Sequence, residues 1–124
     1  MTRREINPDP KKNSEPDQRD TIAAAELDRL IEEATVDCYD ESEQITGFYT
    51  MLEENLELPF ETQLLGVKVT VERLDLTDAE EIVAVCRRGQ DRQAIPILHL
   101  PLPASPVRGA EWIEAYRRWA RGRS

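Results

Sequence analysis

Apolar residues between positions 27 and 56 recur with the period of an α-helix. At about 100° per residue they fall within one stripe, formed by Leu27, Ile31, Ala34, Cys38, Ile45, Tyr49, Leu52 and Leu56. The pattern predicts one long acidic helix, or two nearly collinear helices with a bend at Gly47, starting near Thr21. Leu58-Pro59 is the expected end, because a residue before proline avoids helical backbone angles.

The middle of the chain has strand patterns. Val67–Leu76 begins with alternating apolar and polar residues, as in a half-buried strand, whereas Ile82–Cys86 is a continuous apolar run typical of a strand buried on both faces. Two further strands are predicted at Thr62–Leu65 and Arg92–Leu100, and residues 88–91 have the composition of a hairpin turn. These segments predict a small antiparallel sheet or an open SH3-like barrel of three to five strands.

The last predicted element is an amphipathic helix from about Gly109 to Arg121, in which large apolar residues recur at helical spacing. Helix, strands and helix in this order predict the α+β fold class. Residues 1–20 hold three prolines and one large aliphatic residue, Ile6, so they are predicted to form a disordered tail. Residues 21–124 are predicted to form a single domain.

The negative charge of the protein is concentrated in the predicted long helix. The whole chain has a formal net charge of −9, and residues 26–61 alone carry twelve carboxylates against one basic residue, Arg29. Nucleic acids and anionic membranes require clustered Lys and Arg, so neither is an expected partner. No apolar run is long enough to span a membrane, and the first residues, MTRREINPDPKK, lack the apolar core of a signal peptide. With only two cysteines, Cys38 and Cys86, this composition predicts a cytoplasmic protein with reduced thiols.

Helical spacing decides which of the carboxylates can act together. Asp37, Asp40 and Glu41 lie three or four residues apart on a helix, and Glu43 adjoins Asp40. Such neighbours repel one another, and a hard divalent cation bound by oxygen ligands would relieve the repulsion. Asp and Glu without nearby His or Cys favour Ca²⁺ or Mg²⁺. Composition alone, however, favours a merely solvated acidic face.

One helix cannot surround an ion, so further ligands are needed. The candidates are the bend near Gly47, the pair Glu53 and Glu54 beyond it, and a strand residue such as Glu72. An EF-hand loop is excluded, because a loop starting at Asp40 would have isoleucine at the position that requires glycine.

Four motifs occur in a characteristic order: VDCYDESEQ, LEENLELPF, IVAVCRRG and EWIEAYRRW. Together they resemble the CcbP-type calcium-binding protein family over about residues 27–120. The resemblance implies a small cytosolic calcium buffer or sensor that binds Ca²⁺ through acidic residues without an EF-hand. It implies metal ligands at the acidic motif Asp37, Asp40, Glu41 and Glu43, with Glu53 and Glu54 as further ligands.

Two other classes of function remain to be weighed. A protein-interaction module would use the acidic face to attract a basic partner, with the sheet and the aromatic C-terminal helix as a docking surface. An enzyme is not expected, because His99 is the only histidine, neither cysteine has an adjacent base, and the five glycines form no phosphate-binding loop.

Overall fold

The computed structural model of the protein describes residues 14–122, with side chains from residue 24 onward. It has three helices, α1 (Ser14–Ala34), α2 (Glu41–Asn55) and α3 (Ala110–Gly122), and four strands, β1 (Phe60–Leu64), β2 (Val67–Leu76), β3 (Ile82–Arg88) and β4 (Asp91–Pro96). The strands form one antiparallel sheet in the order β1-β2-β3-β4. The predicted α+β class and the predicted number of strands are confirmed, while the SH3-like barrel stays a prediction.

The predicted long helix is divided, but at residues 35–40 and not at Gly47. Asp37 has a left-handed φ of 60°, and Asp40 has the extended angles of a helix N-cap, with φ −137° and ψ 174°. Short acidic side chains compete for backbone hydrogen bonds in this way and favour turns and caps over helix interiors. Gly47 lies inside α2, where a Cβ atom would stand 2.1 Å from the carbonyl oxygen of Ala34. The prediction of a bend at Gly47 was therefore wrong. The glycine instead lets α2 pack closely against the end of α1.

Helix α1 begins at Ser14, earlier than the predicted start near Thr21. Residues 1–13, the larger part of the predicted disordered tail, lie outside the described residues. Along the described side chains of α1, Ala34 and its neighbour Leu30 are buried in the core, and Leu27 and Ile31 pack against it. The predicted apolar stripe is therefore the face by which this helix packs.

Two of the strands end at identifiable backbone features. Strand β1 ends before a two-residue hairpin loop in which Leu65 and Gly66 both have positive φ, 50° and 80°, as a tight antiparallel hairpin favours. Strand β4 was predicted to continue to Leu100 but ends at Pro96. Proline has no N–H to offer a strand, and the chain then turns, with the N–H of His99 donating to the carbonyl of Pro96 at 2.9 Å.

Residues of the three helices form one apolar core with the sheet. Phe48 and Leu52 of α2 meet Trp112, Ile113 and Tyr116 of α3 and the buried residues of β2 and β3 in one apolar cluster, and strand β3 is buried from Ile82 to Cys86 as its apolar run predicts. The rings of Phe48, Tyr116 and Trp119 lie 5.3–5.7 Å apart between centroids. This aromatic contact brings the first turns of α2 close to α3.

The two cysteines are not paired with each other. Cys86 is buried in the core, and Cys38 is partly buried in the segment between α1 and α2. Burial raises the pKa of the Cys86 thiol, which makes it less reactive. In the part of the chain that the structure describes, no helix is both long and apolar enough to cross a membrane.

Candidate metal site

The predicted ligands fall into two groups at opposite ends of α2. Asp37, Asp40, Glu41 and Glu43, which we call the acidic cluster, are all exposed around the N-terminus of this helix. Glu53 and Glu54 are exposed near its C-terminus. With a rise of about 1.5 Å per residue, Glu53 lies about 15 Å along the axis from Glu43. The two groups therefore cannot share one ion, and only the acidic cluster is brought together.

Two members of the acidic cluster also cap the helix. The Asp40 carboxylate accepts a hydrogen bond from the N–H of Glu43 at 2.8 Å, and the Glu43 carboxylate accepts one from the N–H of Tyr39 at 2.6 Å. The first backbone N–H groups of a helix have no partner within the helix, and side chains such as these provide one. Asp40 and Glu43 therefore hold the N-terminus of α2 in place, and a cation there would compete with the N–H donors for their oxygens.

Glu72, suggested as a ligand from the sheet, is bound to arginine instead. Its two carboxylate oxygens accept hydrogen bonds from Arg92 at 2.8 Å and from Arg87 at 2.6 Å. These two guanidinium groups hold the pKa of Glu72 below its ordinary value. The carboxylate already has two cationic partners, so it does not belong to the candidate site.

Ion pairs are found toward the two ends of the acidic segment formed by residues 26–61. Arg29 pairs with Glu26 and Glu33 on its own helix, and Arg118 of α3 pairs with Asp28 at 2.8 Å. Near the other end, Lys68 lies 3.7 Å from Glu61. The cation Arg118 could not be foreseen from local spacing, because it comes from the far end of the chain. The acidic cluster lies between these paired regions.

Two carboxylates that the sequence reasoning missed lie beside the acidic cluster. Glu80 and Glu81 are in the turn between β2 and β3, and we call them the turn glutamates. Ser42 of α2 donates a hydrogen bond to the Glu80 carboxylate at 2.5 Å. Glu41, Glu80 and Glu81 line one cavity of about 370 Å³, together with Tyr116 and Trp119 of α3. We call this space the α2–α3 cavity.

The chemistry of these groups fits a hard cation, although their present positions do not enclose one. Carboxylate oxygens, carbonyl oxygens and waters are the ligands that Ca²⁺ prefers, and its coordination geometry is flexible. Among the residues that the structure describes, no three His, Cys, Asp or Glu side chains lie close enough together to hold a metal ion as they stand. Exposed glutamates can turn about their side-chain bonds, so binding would draw them inward and leave water on part of the ion.

The fold and the site therefore define a small α+β domain with exposed oxygen ligands suited to a hard divalent cation. The CcbP family, described as calcium binding, matches residues 28–120, and the chain belongs to this calcium-binding family. The resemblance drawn from the sequence is confirmed, and Ca²⁺ is the ion that the family implies. No curated protein and no solved structure matches the chain.

Proposed function

We propose that this calcium-binding protein is a cytoplasmic calcium buffer or low-affinity sensor without enzymatic activity, and that its ion is held by helix carboxylates outside any EF-hand. The observation that supports low affinity is the exposure of every member of the acidic cluster. Exposed carboxylates interact weakly because water screens them, and fixing their side chains around an ion costs conformational entropy. Affinities like those of calcium sensors, or weaker, follow from this reasoning.

Calorimetric titration with Ca²⁺ tests this function directly. The titration should be run in physiological salt with millimolar Mg²⁺, so that other ions already screen the surface charges before Ca²⁺ is added. We expect saturable heat with a Kd of about 10⁻⁷ M or weaker, the range of calcium sensors and weaker sites. A Kd near that of tight cytosolic buffers, about 10⁻⁹ M, would rule out low-affinity sensing. The absence of saturable heat would refute specific calcium binding altogether.

Buffer and sensor are distinguished by a change of shape. A sensor alters its surface when the ion binds, whereas a buffer changes little. Amide hydrogen exchange with and without Ca²⁺ separates them: a sensor should change protection beyond the ion's own ligands, for instance in α1 or α3. Protection confined to the first turns of α2 would favour a buffer.

A protein-interaction module is the second candidate function. Val36 and Tyr39 are 65% and 88% exposed and flank Asp37, so apolar and acidic groups alternate in the segment between α1 and α2. Such a surface suits a basic partner with apolar side chains. Co-purification of a partner that is lost at high salt but resists calcium chelators would support this function. A partner that dissociates when the chelator is added would show that its binding depends on calcium.

A further inference from the structure

We propose that the α2–α3 cavity binds a guanidinium group, the planar cation at the end of an arginine side chain. The turn glutamates accept its N–H groups, and the aromatic rings of Tyr116 and Trp119 pack against its plane. This site is independent of the proposed calcium function, because an organic cation needs no set of oxygens that converge on one point.

The wall of the cavity is acidic on two sides. Glu41 comes from the first turn of α2, and Glu80 and Glu81 come from the turn between β2 and β3. Ser42 of α2 donates a hydrogen bond to Glu80 at 2.5 Å, which holds the turn against the helix. Among the described residues that line the cavity none is basic, and neither turn glutamate has an ion pair with a described side chain. The space therefore attracts a positively charged group.

Tyr116 gives the independent indication of a ligand. It is only 5% exposed and lines the cavity, yet its hydroxyl has no hydrogen-bond partner in the part of the chain that the structure describes. Buried hydroxyl groups nearly always have a partner. Burial, and then the charges of Glu81 and Glu41, raise the pKa of this hydroxyl. The hydroxyl is therefore neutral, and its oxygen can accept a hydrogen bond from a bound cation.

The aromatic residues favour an organic cation. The rings of Tyr116 and Trp119 both line the cavity and are stacked, with centroids 5.7 Å apart. The indole N–H of Trp119 donates to Gln44 at 3.1 Å, which fixes the orientation of its ring. Guanidinium groups stack on aromatic faces and are more weakly hydrated than ammonium groups. Leu98, which is 38% exposed, lines the same cavity and offers an apolar contact to the attached carbon chain.

The separation of the acceptors favours guanidinium over a metal ion or an ammonium group. Among the residues that the structure describes, no three His, Cys, Asp or Glu side chains lie close enough together to hold a metal ion. A guanidinium group spreads five N–H donors around a plane, so separate acceptors can each meet one, whereas an ammonium group has three donors on one atom. The cavity volume of about 370 Å³ lies within the range of small-ligand sites, about 300–1,000 Å³.

Titration with three matched compounds, followed by NMR, tests the site. Butylguanidinium is the probe, butylurea is its neutral counterpart of nearly the same shape, and butylammonium is the alternative cation. We expect butylguanidinium to bind about tenfold or more tightly than butylurea, and about threefold or more tightly than butylammonium. Equal binding of the probe and butylurea would overturn the proposal. Equal or tighter binding of butylammonium would overturn the choice of guanidinium.

Two matched double variants locate the charge that the probe recognises. Glu80→Gln with Glu81→Gln neutralises the turn glutamates, and Glu53→Gln with Glu54→Gln removes an equal charge at the other end of α2. All four side chains are exposed, so both variants should fold. We expect the first variant to weaken butylguanidinium binding by about tenfold or more and the second by about twofold or less. Equal weakening would show that only net charge matters and would overturn the site.

Tyr116→Phe tests the neutral acceptor while keeping the aromatic ring. Tyr49→Phe is its control, because the Tyr49 hydroxyl donates to the carbonyl of Leu74 at 3.2 Å and does not line the cavity. We expect Tyr116→Phe to weaken butylguanidinium binding by about threefold or more, with unchanged circular dichroism, and Tyr49→Phe to leave it unchanged. Unchanged binding in Tyr116→Phe would remove the hydroxyl from the site.

A short peptide distinguishes the two sources of a guanidinium group. Binding of acetyl-Gly-Arg-Gly amide about tenfold or more tightly than butylguanidinium would assign the cavity to an arginine of a partner protein. Similar affinities would assign it to a free alkylguanidinium compound. Every titration contains a calcium chelator, so its result does not depend on the calcium function. Saturable binding of Ca²⁺ without binding of either guanidinium probe would leave the calcium function standing and overturn this site alone.

Discussion

The backbone of Gly47 in α2 lies directly against the carbonyl oxygen of Ala34 at the end of α1. A Cβ atom at Gly47 would stand 2.1 Å from that oxygen, far inside contact distance. We expect Gly47→Ala to lower the free energy of unfolding by up to about 2 kcal/mol. Overpacking costs about 1–3 kcal/mol, and alanine offsets about 1 kcal/mol of this in a helix interior. Urea denaturation measures the difference.

Gly122→Ala is the matched control for that substitution. Gly122 is the last residue of α3, and nothing lies within 4 Å of the position of its Cβ. The same change of residue should therefore leave the stability unaltered or slightly raised. If Gly47→Ala behaves like the control, α2 does not approach α1 as closely as described.

The helix-capping role of the Asp40 side chain can be tested separately from its negative charge. Asp40→Ala removes the side-chain oxygen that accepts the N–H of Glu43 and should lower the free energy of unfolding by about 1 kcal/mol. Asp40→Asn keeps an oxygen acceptor and should cost less. Because the proposed function has Ca²⁺ held by the carboxylates of the acidic cluster, Asp40→Asn should also weaken Ca²⁺ binding by about tenfold or more. Unchanged binding in Asp40→Asn would remove this carboxylate from the ligand set.

The strands could be predicted from the sequence because their patterns are local. The alternation that opens Val67–Leu76 and the apolar run Ile82–Cys86 record burial in neighbouring residues, and the structure has strands at both places. The break between α1 and α2 could not be predicted in this way. The helical stripe continues through Cys38, and Asp37 and Asp40 look like ordinary solvent-facing acids until their backbone angles are known.

The candidate site, too, could be predicted from the sequence only where it depends on local spacing. Spacing along one helix groups the acidic cluster, and the structure keeps these residues around the start of α2. Glu80 joins them from 38 residues beyond Ser42, through packing of the hairpin tip against α2. Nothing in the local sequence indicates that contact. Glu72 is the opposite case, because the two arginines that bind it come from other strands of the sheet.

The pairing of Glu72 makes stability depend on pH. Hydrogen bonds from Arg92 and then Arg87 lower the pKa of Glu72, so the folded protein binds its proton less readily than the unfolded chain. A lowered carboxyl pKa gives stability that is complete above the unfolded value, about 4.3 for Glu, and is lost as the pH falls through the folded value. We expect Glu72→Gln to be less stable than the wild type at neutral pH and equally stable in acid.

Urea unfolding at a series of pH values measures whether the stabilities of Glu72→Gln and the wild type become equal in acid. Glu54→Gln, an exposed carboxylate of α2, is the control for removing one negative charge. It should not reproduce the pH-dependent difference. A Glu72→Gln variant that stays less stable by the same amount in acid would show that packing, and not the ion pair, is responsible.

Arg117 of α3 forms hydrogen bonds with the segment that follows β4. Its Nε donates to the carbonyl of Ile97 at 2.9 Å, and a terminal nitrogen donates to the carbonyl of Leu100. Charged hydrogen bonds of this kind contribute about 1.5–3 kcal/mol each, so Arg117→Met, which removes both, should lower the free energy of unfolding by about 3 kcal/mol or more. Arg121→Met, an exposed position on the same helix, should change it by less than about 0.5 kcal/mol. Equal effects would mean that the two carbonyl contacts contribute nothing.

Calcium should stabilise the folded chain because the ion holds together carboxylates that otherwise repel one another. At a free concentration 100 times the Kd, binding to the folded state alone adds about 2.7 kcal/mol to the free energy of unfolding. For a domain of this size each kcal/mol raises Tm by about 4 °C or more, so a thermal scan should show the shift, and chelation should reverse it. Asp40→Asn with Glu41→Gln should remove most of the rise, since the ion then loses two carboxylates of the acidic cluster. Mg²⁺ should give a smaller shift, because it gives up its water reluctantly and demands a stricter geometry than these exposed side chains offer. A full calcium-dependent rise in that variant would place the ion outside the acidic cluster.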